Sequence, residues 1–126
     1  MHVEERRQKR SVDPLVALHY QLSYARKDGR LDAIVVADGS GIMVAGAGAW
    51  AICEELAAYA PLLADASNAR SPTTASRVED LRRHVDVKRV EVDGQEVLLC
   101  ARGGTTRTVF LDQAAGGVAR ILALAA

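Results

Sequence analysis

The feature that most constrains the fold lies in residues 31–63, LDAIVVADGSGIMVAGAGAWAICEELAAYAPLL. An apolar run over residues 31–37 meets the turn Asp38-Gly39-Ser40-Gly41. A second apolar run follows over residues 42–47, and a helix rich in small residues begins near residue 49. The first run is apolar almost throughout, which predicts a central strand covered by helices on both faces. The second run is close enough to be its hairpin partner. A strand–turn–strand–helix unit with more strands after it reads as an α+β module. It displays no obvious reactive group.

The helix expected over residues 49–64 has a wide apolar arc. At 3.6 residues per turn, Ile52, Leu56, Tyr59 and Leu63 form one stripe, and Cys53, Ala57, Ala60 and Ala64 an adjacent stripe of small side chains. Together they cover roughly half the circumference, more than one sheet contact usually requires. That width predicts a helix shared between the sheet and a second subunit. The plainer alternative is a helix well buried in a monomer. Glu54 and Glu55 mark the solvated side, and Pro61 removes a helical hydrogen bond, kinking or ending the helix.

The remaining elements follow from periodicity and caps. Asp13-Pro14 starts a first helix, in which Leu15, Leu18, His19 and Leu22 give one apolar face, and Gly29 sits where a left-handed terminator belongs. Residues 65–75 read as a polar loop. Ser76 and Glu79 have capping-box spacing for a short helix to about His84. Three strand candidates come next. Val85 and Val87 share one alternation phase and Val90 and Val92 the other, so a bulge or a late strand start is expected at Lys88-Arg89. Asp93-Gly94 is a two-residue hairpin turn, residues 97–101 continue the sheet, Gly103-Gly104 turns it, and residues 106–111 return. Asp112 caps a last helix faced by Val118, Ile121 and Leu122. Gly116-Gly117 weakens that helix by about 1 kcal/mol per glycine relative to alanine. Leaving aside the short helix before His84, the expected order is helix, two strands, helix, three strands, helix.

At 126 residues the chain fits one domain, expected over residues 13–126 behind a charged tail at 1–12 that holds Glu4, Glu5, Arg6, Arg7, Lys9 and Arg10. Sixteen basic and sixteen acidic side chains cancel, which argues against a dedicated nucleic-acid or anionic-membrane binder and weakly favours self-association. The tail lacks a signal-peptide core, and no apolar run reaches the about twenty residues of a membrane span. The expectation is a cytoplasmic protein whose two cysteines, Cys53 and Cys100, are reduced thiols in packed elements.

The element order resembles the Roadblock family of dynein light chains and their bacterial relatives. The residues that carry the likeness are 33–41 (AIVVADGSG), 43–45 (MVA), 55–58 (ELAA) and 97–101 (VLLCA). The resemblance implies a five-stranded antiparallel sheet with helices on both faces. It also implies a homodimer, or a dimer with a paralogue, through the second helix and third strand. Cys53, Ala57 and Ala60 with Val87, Arg89 and Val90 are then the expected dimer interface. Bacterial and archaeal members of the family partner small Ras-like GTPases, and eukaryotic ones scaffold motors or GTPase complexes. A non-enzymatic regulator is expected, with Trp50, Glu54, Glu55 and Tyr59 as partner-binding residues and with neither cofactor nor metal.

Other constellations carry less. Gly46-Ala-Gly48-Ala-Trp-Ala51 has the G-x-G-x-x-A form of a dinucleotide fingerprint, which leaves a small-ligand or nucleotide sensor as the alternative function. A Rossmann unit needs a parallel strand after the helix, whereas here a polar loop and antiparallel hairpins follow. Asp38-Gly-Ser-Gly41 lacks the Walker lysine, and Ser40 lacks a nucleophile-elbow context. His2, His19 and His84 lack paired metal spacing, and His19 is expected to pack in the core. Cys53, near a helix N-terminus, is a candidate for a lowered pKa, although a small interface filler is the favoured account.

Overall fold

The computed structural model describes residues 13–65 and 71–125. The elements run α1 (Pro14–Gly29), β1 (Ala33–Asp38), β2 (Met43–Gly48), α2 (Trp50–Ala64), α3 (Pro72–Arg82), β3 (Val85–Val92), β4 (Gln95–Arg102) and α4 (Arg107–Ala125). The four strands form one antiparallel sheet in the order β2-β1-β4-β3. β1 pairs on both sides and is covered on both faces. Ile34 and Val36 join Leu18, Leu22, Leu99 and Val118 under α1 and α4. Ala33, Val35 and Ala37 join Leu56, Leu98 and Cys100 under α2 and α3. A strand with two cores has no polar face to alternate with, hence the unbroken AIVVA. Each fully buried Leu, Ile or Val there contributes about 1.5–3 kcal/mol.

The expected fifth strand is absent: residues 107–111 form the first turns of α4. Val109 and Leu111 alternate as a strand would, but Leu111, Ala114, Ala115 and Val118 are the buried residues, at spacings of three, one and three. That helical stripe packs on the sheet and overrides the β propensity of Thr108 and Val109. Val109 is left exposed. Asp112 is accordingly no cap; it lies inside α4, where its carboxylate accepts a 2.7 Å bond from Lys88 Nζ of β3.

Smaller corrections concern where the elements begin and end. Asp13 caps α1 as expected, accepting from Val16 N at 3.3 Å, but the left-handed residue that ends α1 is Arg30 (φ 51°). Gly29 is still helical, and a Cβ on it would fall 2.8 Å from the Phe110 ring. α3 starts five residues before the expected helix, with Ser71 in place of Ser76 as cap (Thr74 N donates to its Oγ at 3.1 Å) and Pro72 at the first turn. The Asp93-Gly94 turn has positive φ at both residues, 52° and 80°, as a type I′ hairpin requires.

β3 runs in continuous register from Val85↔Arg102 to Val92↔Gln95, without the bulge expected at Lys88-Arg89. The change of phase has another origin. Val85 and Val87 face the α2/α3 core, whereas Val90 and Val92 face the α1/α4 core, so different ends of the strand are covered on different sides. The sheet's register shift lies instead between β1 and β2, where Val36 pairs with Ala45 and Ala37 with Met43. The charged tail expected over residues 1–12 and the middle of the 65–75 loop lie outside the described residues.

Candidate functional site

α2 is the element on which most of the expected site residues stand, and its entry is tightly built. β2 ends at Gly48 (φ 121°), and a Cβ there would meet the Asp32 carbonyl oxygen at 2.5 Å and Ala33 at 2.9 Å. Gly46 is hemmed in by Met43, Val35 and Cys53. Packing therefore accounts for both glycines of the dinucleotide-like string, and the segment joins antiparallel strands to a helix with no parallel strand beyond it among the described residues. The preceding turn is held by Asp38, whose Oδ1 accepts from Ser40 N (2.9 Å), Ser40 Oγ (2.7 Å) and Ile42 N (3.0 Å). The bonds from Ile42 and then Ser40 hold the Asp38 carboxyl below the usual carboxylate range. With the folded-state value lowered, its contribution is present above the ordinary aspartate range and is lost as pH falls through the lowered value.

The small-residue stripe packs against the chain's own sheet. Cys53, Ala57 and Ala60 are 0–2 % exposed in the single chain and pack on Val35, Leu98 and Cys100. Small side chains there let the helix backbone lie close to the strands. A Cβ on Gly41 would stand 3.2 Å from the Ala58 carbonyl, and Gly46 approaches Cys53 Sγ. Val90 is also buried, on the α1/α4 side. Of the six residues expected at a dimer interface, only Val87 and Arg89 lie at the open edge of β3. Arg89 donates to the Ala64 carbonyl at 3.1 Å and pairs with Glu96 at 3.6 Å.

The four expected partner contacts divide in two. Trp50, which is 64 % exposed, and Glu54 stand one turn apart on the outer surface of α2, continued by Ala58. Glu55 is half-buried and held by a two-pronged bond from Arg77 of α3 (Nη2–Oε1 2.6 Å, Nε–Oε2 3.2 Å), and Tyr59 is half-buried beside the same ion pair. Glu55 thus fastens α3 to α2.

The β3 edge itself was not visible in the residue pattern, because its signal is backbone. In a type I′ hairpin the pair flanking the turn, Val92 and Gln95, is hydrogen-bonded, and hydrogen-bonded pairs alternate along the ladder. The N–H and C=O groups of Val85, Val87, Arg89 and Glu91 consequently point away from β4, Val85 itself being buried. A cavity of about 560 Å³ runs along this edge, lined by Leu63, Ala64, Arg82, Val85, Val87 and Arg89 among others. The edge offers main-chain pairing flanked by α2.

Reactive chemistry is sparse. Among the described residues no group of three or more His, Cys, Asp or Glu is placed to hold a metal ion. His19, expected in the core, is exposed, and its Nδ1–H donates to the Gly46 carbonyl at 3.1 Å. Burial pushes the Cys53 thiol up and the Cys100 thiol to about 12, so the helix start does not activate Cys53. Neither cysteine should react with Ellman's reagent at pH 8 in the folded protein, and both should react once it is unfolded in guanidinium. Rapid native labelling of Cys53 would contradict this burial. No described helix is long and apolar enough to cross a membrane.

Neither a protein-family model nor a curated protein matches the sequence. Among solved structures, Myxococcus xanthus MglB is similar at a TM-score of 0.52 and 14 % identity, over 86 % of this chain and 89 % of that one. At that identity the likeness is one of fold. The chain has the fold of MglB, and the Roadblock resemblance read from its sequence holds at the level of that fold.

Proposed function

We propose that this protein is a non-catalytic regulator or scaffold that acts as a dimer and binds a small Ras-like GTPase. The observation that carries the reading is the fold shared with MglB across most of both chains. The sequence resemblance to Roadblock proteins, whose bacterial and archaeal members partner such GTPases, supplies the partner class. A platform of this kind works by contacting the switch segments of the GTPase and biasing their order. Trp50 and Glu54, with Ala58, form the accessible contact face of α2, and Glu55 and Tyr59 support it from the α3 side.

Dimerisation is assigned to the open edge of β3 with Val87 and Arg89, in place of the buried Cys53, Ala57, Ala60 and Val90. An antiparallel strand from a second copy would satisfy the outward backbone groups and extend each four-stranded sheet across the pair. Sedimentation velocity at micromolar concentration should give a dimer. Val87→Pro removes one outward N–H without touching the β4 ladder, and should weaken the dimer by at least about tenfold, one lost interface contribution of ~1.4 kcal/mol, with the circular dichroism spectrum unchanged. A wild-type monomer at these concentrations contradicts the dimeric reading. No specific observation favours the nucleotide-sensor alternative.

A further inference from the structure

The helical layer of α1 and α4 has two apolar sides. Its inner side packs on the sheet through Leu18, Leu22 and Ala25 of α1 and Leu111, Ala114 and Val118 of α4. Its outer side is open. Of the eight large apolar side chains exposed among the described residues, six stand on these two helices. Val16, Tyr20 and Tyr24 recur at four-residue spacing and form one stripe along α1, with the tyrosines 75 % and 66 % exposed. Val109, Gly116, Arg120 and Leu124 form the outward stripe of α4. Gly29 abuts Phe110 and Gln21 abuts Gly117, so the helices run antiparallel and Gly116 lies at a level between Tyr20 and Tyr24.

Gly116 points outside the chain. Gly117 is needed where it stands, because a Cβ on it would run into the Gln21 side chain. Gly116 has no such reason. Its φ is not positive, and an added Cβ would come within 4 Å only of the end of Arg120, at 3.8 Å. A glycine inside a helix is less favourable than alanine, so this one weakens α4 without helping the chain to pack. It leaves an open notch on the outer face.

The same face carries what fills that notch. A surface with projecting rings and a gap at their level is complementary to itself about a two-fold axis, each copy's rings meeting the other's gap. Arg120 is the one charged residue in the two stripes, and the axis can set it over a tyrosine ring of the other copy. The chain's zero net charge opposes neither copy. At these exposures Tyr20 and Tyr24 offer on the order of 300 Å² per copy. Two copies then bury about half of the ~1,200 Å² at which specific interfaces begin. Val16, Val109 and Leu124 add to it. We propose that the outer face of α1 and α4 is a self-association surface on which two copies pair, Tyr20 and Tyr24 of each seated at Gly116 and Arg120 of the other. This face lies a helix thickness above the sheet, whereas β3 pairs in the plane of the sheet. Both can be occupied together, so dimers joined through β3 pair into tetramers.

The test is sedimentation velocity of the full-length chain from micromolar to sub-millimolar concentration. The dimer should pass into a tetramer as concentration rises. Tyr20→Glu with Tyr24→Glu should weaken that second step at least tenfold and leave the dimer. Gly116→Gln fills the notch; it should weaken the step similarly while raising the urea midpoint of the chain, a combination that misfolding does not produce. Val87→Pro, which blocks β3, should still associate at high concentration, as a dimer that the tyrosine changes abolish. A wild-type chain that never exceeds a dimer overturns the proposal if Val87→Pro makes it monomeric throughout. If the tyrosine changes abolish that dimer instead, this face stands and the β3 assignment fails. A tetramer that survives both the tyrosine changes and Gly116→Gln overturns the proposal, as does a chain that stays monomeric at every concentration.

Discussion

Replacing Gly48 by valine is expected to lower the unfolding free energy by about 4 kcal/mol, a large share of the 5–15 kcal/mol that domains of this size possess. Two costs combine. A residue with a side chain at φ 121° is strained by about 1–3 kcal/mol. The new Cβ would also stand 2.5 Å from the Asp32 carbonyl and 2.9 Å from Ala33, backbone at the start of the central strand that cannot swing aside. Overpacking of that kind adds about 1–3 kcal/mol. Urea denaturation followed by circular dichroism measures the sum. Gly39→Ala is the control, because a Cβ there meets nothing within 4 Å and φ is not positive, so it should stay within about 0.5 kcal/mol of wild type. A Gly48→Val protein as stable as wild type would mean that β2 does not pass into α2 as described. The same variant is a poor probe of nucleotide binding, since its fold is expected to fail first.

Leu56→Ala should cost about 2–5 kcal/mol. Leu56 is fully buried where α2 crosses the sheet, in the cluster with Val35, Leu98 and Cys100. Truncation removes its transfer energy and leaves a void that small neighbours such as Ala57 and Ala60 cannot fill. Glu54→Ala, two residues earlier and on the outer surface, should change stability by less than about 0.5 kcal/mol. The pair separates the two faces of α2. If Glu54→Ala were the more damaging change in the same urea titration, the assignment of the sheet-facing side would be wrong.

The α2 stripe shows where sequence reading succeeds and where it stops. Helical spacing located Cys53, Ala57 and Ala60 on one side, but small residues suit close approach to a sheet as well as to a second helix, and composition does not choose between them. Here the sheet took them. The β1–β2 hairpin and the Asp93-Gly94 turn were legible because their signals are local: a carboxylate that closes its own turn, and two residues that tolerate positive φ. Thr108 to Leu111 misled because strand alternation and a helical stripe coincide over so few residues, and only Ala114, Ala115 and Val118 downstream resolve the period. Val87 and Val90 look like a broken strand until both faces of the sheet are seen to be covered. The contribution of Glu55 was hidden because Arg77, its partner, stands twenty-two residues away on another helix. The open backbone of β3 has no side-chain signature at all.

We propose that this fold serves as a platform for a small GTPase. The most direct measurement is affinity capture with the tagged full-length protein from lysate of its own cells, with a non-hydrolysable GTP analogue or GDP added, and mass spectrometry of what is retained. A small Ras-like GTPase should be enriched in one of the two nucleotide states. Retention of only a paralogous chain, or of no partner in either state, would contradict it.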